Sequence, residues 1–429
     1  MAADPGRRAV LRGGLLAATG VAAGAAGGTA LGAALAMPDG ARPSSAAGSP
    51  AVGRPGGAAA SGVPGGAGSV ASGELGLARA VVPLAGRQPG VDTPAGAHAI
   101  YRAFRLRPGT DVGRLRNWLR LLADDIERLM QGRPVLADVE PELGDAPAGL
   151  TVTVGLGRGA VRRAGAVPPS WLGPLPAYRV DELQERWGEA DLVLQATCDD
   201  PVTLAHADRV LQRESVAFAE VAWVQEGFRH ARGARPDGST MRNLFGQVDG
   251  TSNPVPGSAD FDSVVYRDGG GPFGEGSTSL VLRRIAMDLD AWDRVDRSVR
   301  EDAVGRTLSD GAPLTGGTER TEADLAATSG GWPVVAEFAH VRRARAREAG
   351  ERIYRRGYNY ADPGATGHGR AGLLFASFQA DPVRQFHPLQ KRLAELDMMN
   401  EWTTPVGSAV FWIPPAWSPG GFPGEGLFG

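Results

Sequence analysis

The sequence predicts an α+β protein built from two ferredoxin-like modules, each running β-α-β-β-α-β, with antiparallel sheets packed together. Three observations lead there. Short alternating apolar runs of strand length, as at 150–156 and 191–197, stand beside a stretch with Leu115, Trp118, Leu119, Leu122, Ile126 and Leu129 at helical spacing. The same order of strands and helices reads twice along the chain. Finally, 429 residues accommodate two domains of ordinary size.

Residues 1–36 are read as an export signal. Arg7 and Arg8, with Gly6 before and Leu11 and Arg12 behind, form a twin-arginine pattern. An uncharged Ala/Gly/Leu stretch follows and ends in Ala34, Leu35 and Ala36, a small-x-small site suited to cleavage. A membrane-spanning helix is the competing reading, but so much Gly and Ala makes a poor spanner. No lipobox cysteine is present, so the expected product is exported, with no stable membrane insertion once the signal is removed. Residues 37–80 are Gly, Ala, Ser and Pro with scattered charges, too poor in apolar side chains to offset chain entropy. They are expected to form a flexible linker.

The N-terminal module is placed at 81–240. Its expected elements are a strand at 98–106, a helix at 111–130, strands at 150–156 and 191–197, a helix at 201–215 and a strand at 220–225. The C-terminal module is placed at 241–429, with a strand at 279–285 and a helix at 290–306. A less regular middle follows, then a strand at 373–378, a helix at 382–396 and a strand at 408–413.

Composition narrows the function. A net charge of −3 gives no global pull toward nucleic acid. The single cysteine, Cys198, excludes an internal disulfide, a multi-cysteine zinc site and a Cys-x-x-Cys-His haem attachment. Within the second half, Gly246 and Gly250 bracket Asp249, and Thr251, Asn253 and Pro254 follow. Glycine permits close backbone approach, because no Cβ stands in the way. Further on come Phe338, His340, Arg342 and Arg343 in one cluster, and Ile353, Arg355 and Tyr358 in a second. Gly372, Phe375, Phe378 and Gln379 form a third, and Gly407, Phe411, Pro414 and Pro415 a fourth.

This ordered set resembles the motifs of the dye-decolorizing peroxidases, and looks most like the twin-arginine-exported branch that includes the deferrochelatases. The resemblance covers most of 246–415. It implies two ferredoxin-like modules with one non-covalent haem b per chain, associated mainly with the second. The segment from Gly86 to Pro94 is similar to the family's opening motif, but Arg87 stands where relatives often have His, so no catalytic role is assigned there.

The resemblance also implies roles. Among six histidines, His340 matches the axial ligand of the haem iron, the only metal expected; His387 is the second choice. Asp397 matches an acidic position that accepts from the ligand imidazole, and is otherwise a helix-end carboxylate in water. Asp249 matches the group that moves the peroxide proton, and Arg355 the fixed cation, unless Arg355 and Arg356 are an exposed basic pair. An aspartate is a base only while ionised, so activity is expected to favour acidic pH and to be lost when Asp249 protonates. Phe375, Phe378 and Phe411 are expected to line the haem, Arg342 to face a propionate, and Gly250, Thr251 and Asn253 to meet its edges from the loop. Trp402, Trp412 and Tyr358 are candidates to carry electrons from bulky donors.

The expected partners are hydrogen peroxide and a one-electron donor such as a dye or phenol, with a homo-oligomer left open. Iron handling for an uptake system is the alternative use of the same pocket. A haem carrier without turnover is a third reading, and it would not need Asp249 and Arg355.

Overall fold

The structure, a computed structural model, describes residues 80–81, 86–136, 138–364 and 369–428. The export signal and all of the linker but Ala80 lie outside them, as does His368.

The first module runs β1 (His98–Leu106), α1 (Val112–Leu129), β2 (Thr151–Leu156), a short α2 (Arg158–Arg163), β3 (Leu192–Cys198), α3 (Pro201–Ser215) and β4 (Ala219–Phe228). Both long helices begin where an aspartate can cap them. Asp111 accepts the Arg114 N–H at 2.8 Å and Asp200 the Thr203 N–H at 2.7 Å, each satisfying an orphan first-turn donor. Pro201 stands at the first helical position of α3, where its missing N–H costs nothing. The apolar stripe of α1, from Leu115 to Leu129, is buried against one face of the sheet. All pairings are antiparallel, in the order β2-β3-β1-β4.

One buried residue on α1 does not follow the amphipathic rule. Asp125 is 8% exposed. Burial, then the charges of Glu214 and Asp124, push its carboxyl up to about 6. The folded chain therefore holds this proton to higher pH than the unfolded chain does. Stability is lost as pH rises from about 4 to 6, by roughly 1.4 kcal/mol per unit at most. Asp125→Asn is expected to raise stability above pH 6 and leave it unchanged near pH 3, as read by denaturant melts. An equal gain at both pH values would contradict this.

The second module contains α4 (Ala259–Val265), β5 (Thr278–Met287), α5 (Leu289–Asp293), α6 (Arg297–Val304), a small hairpin of β6 (Thr328–Ser329) and β7 (Trp332–Pro333), and α7 (His340–Arg343). Then come β8 (Tyr354–Arg355), β9 (Tyr358–Ala361), β10 (Ala371–Gln379), α8 (Phe386–Leu396) and β11 (Thr403–Ile413). Two helices differ from expectation. The helix expected over 290–306 is two: Asp288 caps α5 through the Ala291 N–H at 2.9 Å, α6 restarts after Asp296, and Gly305 ends it at φ 85°. The helix expected from Pro382 starts regularly only at Phe386. The His387 N–H reaches back to the Pro382 carbonyl, one residue out of α register, and Pro388 has no N–H to donate.

The sheets are joined more closely than packing alone implies. The C-terminal strands pair in the order β11-β5-β10-β9, and β8 pairs with Ser377 and Phe378 of β10 along the same edge as β9, opposite β5. Each sheet then touches the other through single residue pairs, Phe228 opposite Asn359 and Trp412 opposite Leu156. Eight strands thus close into one circuit around Tyr101, Val193, Trp223, Leu282, Tyr358, Leu374, Phe378 and Phe411. Residues of opposite parity point outward. On β5 and β10 these include Ile285, Leu373 and Phe375, which pack with Met241, Phe245, Met398 and Met399 on the segments bearing Asp249 and Asp397.

Candidate active site

Asp249 is presented by a tight loop. The Asn243 side chain accepts the N–H groups of Phe245 and Gln247, Gly246 turns the chain at φ 79°, and the Asp249 N–H returns to the Met241 carbonyl at 2.9 Å. Gly250 follows at φ 132°, a backbone region nearly closed to other residues. This folding leaves the Asp249 carboxylate facing Arg355, whose Nη1–H donates to Oδ1 at 2.7 Å. Arg355 Nη2 lies 3.4 Å from the Ser252 hydroxyl, and Asn243 Nδ2 stands 3.5 Å from the other Asp249 oxygen. Neither charged side chain is sealed: Asp249 is 15% and Arg355 24% exposed.

His340 opens α7, directly after the buried Val335 and Ala339. Its Nδ1–H donates to Asp397 Oδ2 at 2.6 Å. Asp397 is buried at the end of α8, and its other oxygen takes the Met399 N–H at 3.0 Å. Burial works against a charged imidazole, but Asp397 outweighs it and shifts the ring toward protonation; Arg355 opposes and Asp249 assists. The ring is therefore close enough to feel both members of the other pair. Its Nε2 has no hydrogen bond among the described residues, and 26% of the side chain is open.

Of the other expected residues, Phe375 lies on the outer face with its ring tilted against Phe386, 6.1 Å between ring centres. Phe378 and Phe411 do not join it. Phe378 is three residues along the same strand, hence on the opposite face, and Phe411 pairs with Leu280; both fill the interior of the strand circuit. The Arg342 guanidinium is already engaged by the Val335 and Leu325 carbonyls and by Glu337 at 3.3 Å. The Thr251 hydroxyl donates to Glu319, which also receives Thr240. The Asn253 amide is turned to the Arg355 backbone. His387 Nδ1 is held by the Tyr178 hydroxyl at 2.8 Å. Trp402, Trp412 and Tyr358, the candidates for carrying electrons from bulky donors, are 7%, 1% and 0% exposed, so each is a core aromatic and none stands at the surface.

Three residues here were not singled out from sequence. Asn243 shapes the loop and approaches Asp249, Ser252 approaches Arg355, and Glu319 ties Thr240 to Thr251 on either side of the acid. Asn243 lies three residues before Gly246, so its place in the motif was the available signal. Glu319 offered none.

The donor set fits haem. Among the described residues no group of three or more His, Cys, Asp and Glu could hold a bare metal ion. A metal at His340 must bring its other ligands, as a porphyrin does. Ile285 on β5 and Phe375 on β10 are the only side chains of their strands left partly open, and both point outward into the cluster that holds Met398 and Met399, the two residues after Asp397. That is apolar surface left uncovered in the cluster that follows Asp397, the partner of the His340 imidazole.

Comparison with known proteins agrees with this geometry. Residues 88–229 match the family model described as Dyp-type peroxidase, N-terminal, and residues 240–418 the one described as Dyp-type peroxidase, C-terminal. A dye-decolorizing peroxidase of Thermobifida fusca is 37% identical over 352 residues, covering 77% of this chain and 81% of the relative. A deferrochelatase of Escherichia coli is 30% identical over 351 residues, covering 76% and 82%. The crystal structure of a DyP-type peroxidase from Cellulomonas bogoriensis superposes with a TM-score of 0.78 at 47% identity, over 82% of this chain and 99% of that one. DtpA of Streptomyces lividans gives 0.79 at 37%, over 83% and 100%. The chain belongs to the Dyp-type peroxidase family. It is accordingly a haem peroxidase, acting on peroxide and electron-donor substrates. No helix among the described residues is long and apolar enough to cross a membrane.

Proposed function

We propose that His340 holds haem iron through Nε2, that Asp249 moves the peroxide proton, and that Arg355 is the cation that stabilises the departing oxygen. The observation carrying this is two pairs, Asp249 with Arg355 at 2.7 Å and His340 with Asp397 at 2.6 Å, the charges of the first reaching the His340 ring of the second. When bound, haem supplies the redox centre through which peroxide takes up two electrons, returned singly by the donors.

Asp249 takes the proton from one peroxide oxygen and delivers it to the other, which leaves as water; such proton transfer contributes typically ~10²–10⁴-fold. Arg355 faces the oxygen on which negative charge develops, and its planar fork can hold both peroxide and Asp249. Asp397 fixes the imidazole by its Nδ1–H, leaves the Nε2 lone pair toward the metal and raises its basicity. A carrier of haem would need only the His340 side, so the Asp249–Arg355 pair favours turnover.

The donors we infer are dyes, phenols and similar one-electron reductants, oxidised outside the cytoplasm after twin-arginine export. The 30% identical deferrochelatase supports iron handling as the second use of the same pocket, with components of an iron uptake system as partners. One experiment addresses these points. The full chain, expressed with its leader, is recovered from outside the cells, loaded with haem and given peroxide and a phenol. Two phenols oxidised per peroxide consumed is the expected result. Iron release without phenol oxidation would favour the second use, and protein confined to the cytoplasm would overturn export.

A further inference from the structure

Arg355 has an unusual structural problem, and Asn253 answers it. Strand β8 lies at the end of the sheet order and pairs only with β10. Along a strand, successive residues turn their N–H and C=O groups to opposite sides. The Arg356 N–H points to β10, donating to the Ala376 carbonyl at 2.8 Å. The N–H and C=O of Arg355 therefore face the free edge, where no strand stands.

The Asn253 carboxamide occupies that edge. Its Nδ2 donates to the Arg355 carbonyl at 2.6 Å, and its Oδ1 accepts the Arg355 N–H at 3.1 Å. An amide side chain carries the same donor and acceptor as a peptide group, so Asn253 substitutes for one residue of a missing strand. Only this orientation of the amide satisfies both bonds. The residue is itself fixed, since its N–H returns to the Gly250 carbonyl at 2.9 Å and Pro254 restricts the backbone after it. It also belongs to the loop that presents Asp249, four residues earlier.

We propose that Asn253 is a positioning residue for the peroxide site, locking the Arg355 main chain to the Asp249 loop so that guanidinium and carboxylate meet in one geometry. The proposal rests on the reading of Asp249 and Arg355 as proton-transfer group and cation. Asparagine is singled out by its chemistry. Aspartate of the same shape would keep the acceptor but set an oxygen against the Arg355 carbonyl. Serine would reach at most one of the two groups. The amide does not contact peroxide in this assignment; it acts through Arg355.

The test is a mutant cycle on the haem-loaded full chain: Asn253→Asp and Asn253→Ala, each with Arg355 retained and with Arg355→Ala. The readouts are the peroxide rate constant by stopped flow, the affinity of the ferric protein for fluoride, a small anion that takes a hydrogen bond from a nearby cation, and the melting temperature. Misplacement of a catalytic group by about 1 Å costs up to ~100-fold. Asn253→Asp is expected to lower both constants about tenfold where Arg355 is present and to add almost nothing where it is absent. Unchanged constants in the Arg355 background, or equal losses in both backgrounds, would overturn the proposal. Arg355→Ala without effect would instead remove the reading of the site on which it rests. Should the aspartate variant not fold, Asn253→Ser passes through the same cycle with the same two outcomes.

Discussion

Replacing His340 by alanine is expected to abolish tight haem binding while leaving most of the fold intact. The imidazole lies at the first turn of a four-residue helix, its Nε2 has no hydrogen bond among the described residues, and no cluster of three or more His, Cys, Asp and Glu there could hold a metal in its place. Loss of a partner that merely orients a ligand costs typically ~10–100-fold in metal affinity, and loss of the ligand itself should exceed this. The substitution also leaves the buried Asp397 with only the Met399 N–H, so some local stability is lost. The measurement is a titration of the haem-free chain with haem, followed by the Soret band. His387→Ala is the control, because its Nδ1 is held by Tyr178; it should bind haem as the parent does. Full Soret intensity in the His340 variant would remove it as ligand.

Arg355→Ala is expected to slow the reaction with peroxide by about 10²–10³-fold, the range found when one preorganised donor to a developing oxyanion is removed. Haem binding should change little, since Arg355 contacts Asp249, Ser252 and Asn253 and none of the residues that hold His340. Lysine should restore only part of the rate. Its single ammonium can neutralise Asp249, but it lacks the flat fork needed to bond carboxylate and peroxide together. Rate constants against peroxide concentration by stopped flow, at one mildly acidic pH, separate the three proteins. A rate for Arg355→Ala within twofold of the parent would exclude it as the stabilising cation.

Local pattern carried much of this structure. The boundaries of β1 and α3 were readable because alternation and capping residues coincide, with Asp200 and Pro201 marking one helix start. The break between α5 and α6 was less so. No Gly or Pro interrupts 290–304, and the signals were two caps, Asp288 and Asp296, of a kind that also occurs on helix surfaces. Closure of the strand circuit depends on two single pairings between residues more than a hundred positions apart, which no local period encodes.

The site divides in the same way. Motif order singled out Asp249, Arg355, His340 and Asp397, and the structure pairs Asp249 with Arg355 and His340 with Asp397. Phe378 was separable from Phe375 by strand parity alone, since residues three apart cannot share a face. Phe411 needed the register with β5. The use of Arg342 on carbonyls and of Asn253 on the Arg355 backbone follows from how distant segments meet, and sequence spacing gives no hint of either.

The most direct measurement is a stopped-flow absorption record of the haem-loaded chain mixed with one equivalent of hydrogen peroxide at mildly acidic pH. A rapid fall of the Soret band, slowed at least a hundredfold in Asp249→Ala and Arg355→Ala alike, is the predicted result. A Soret band that stays unchanged in the parent chain, or falls equally fast in all three proteins, would contradict the assignment of this pocket to peroxide reduction.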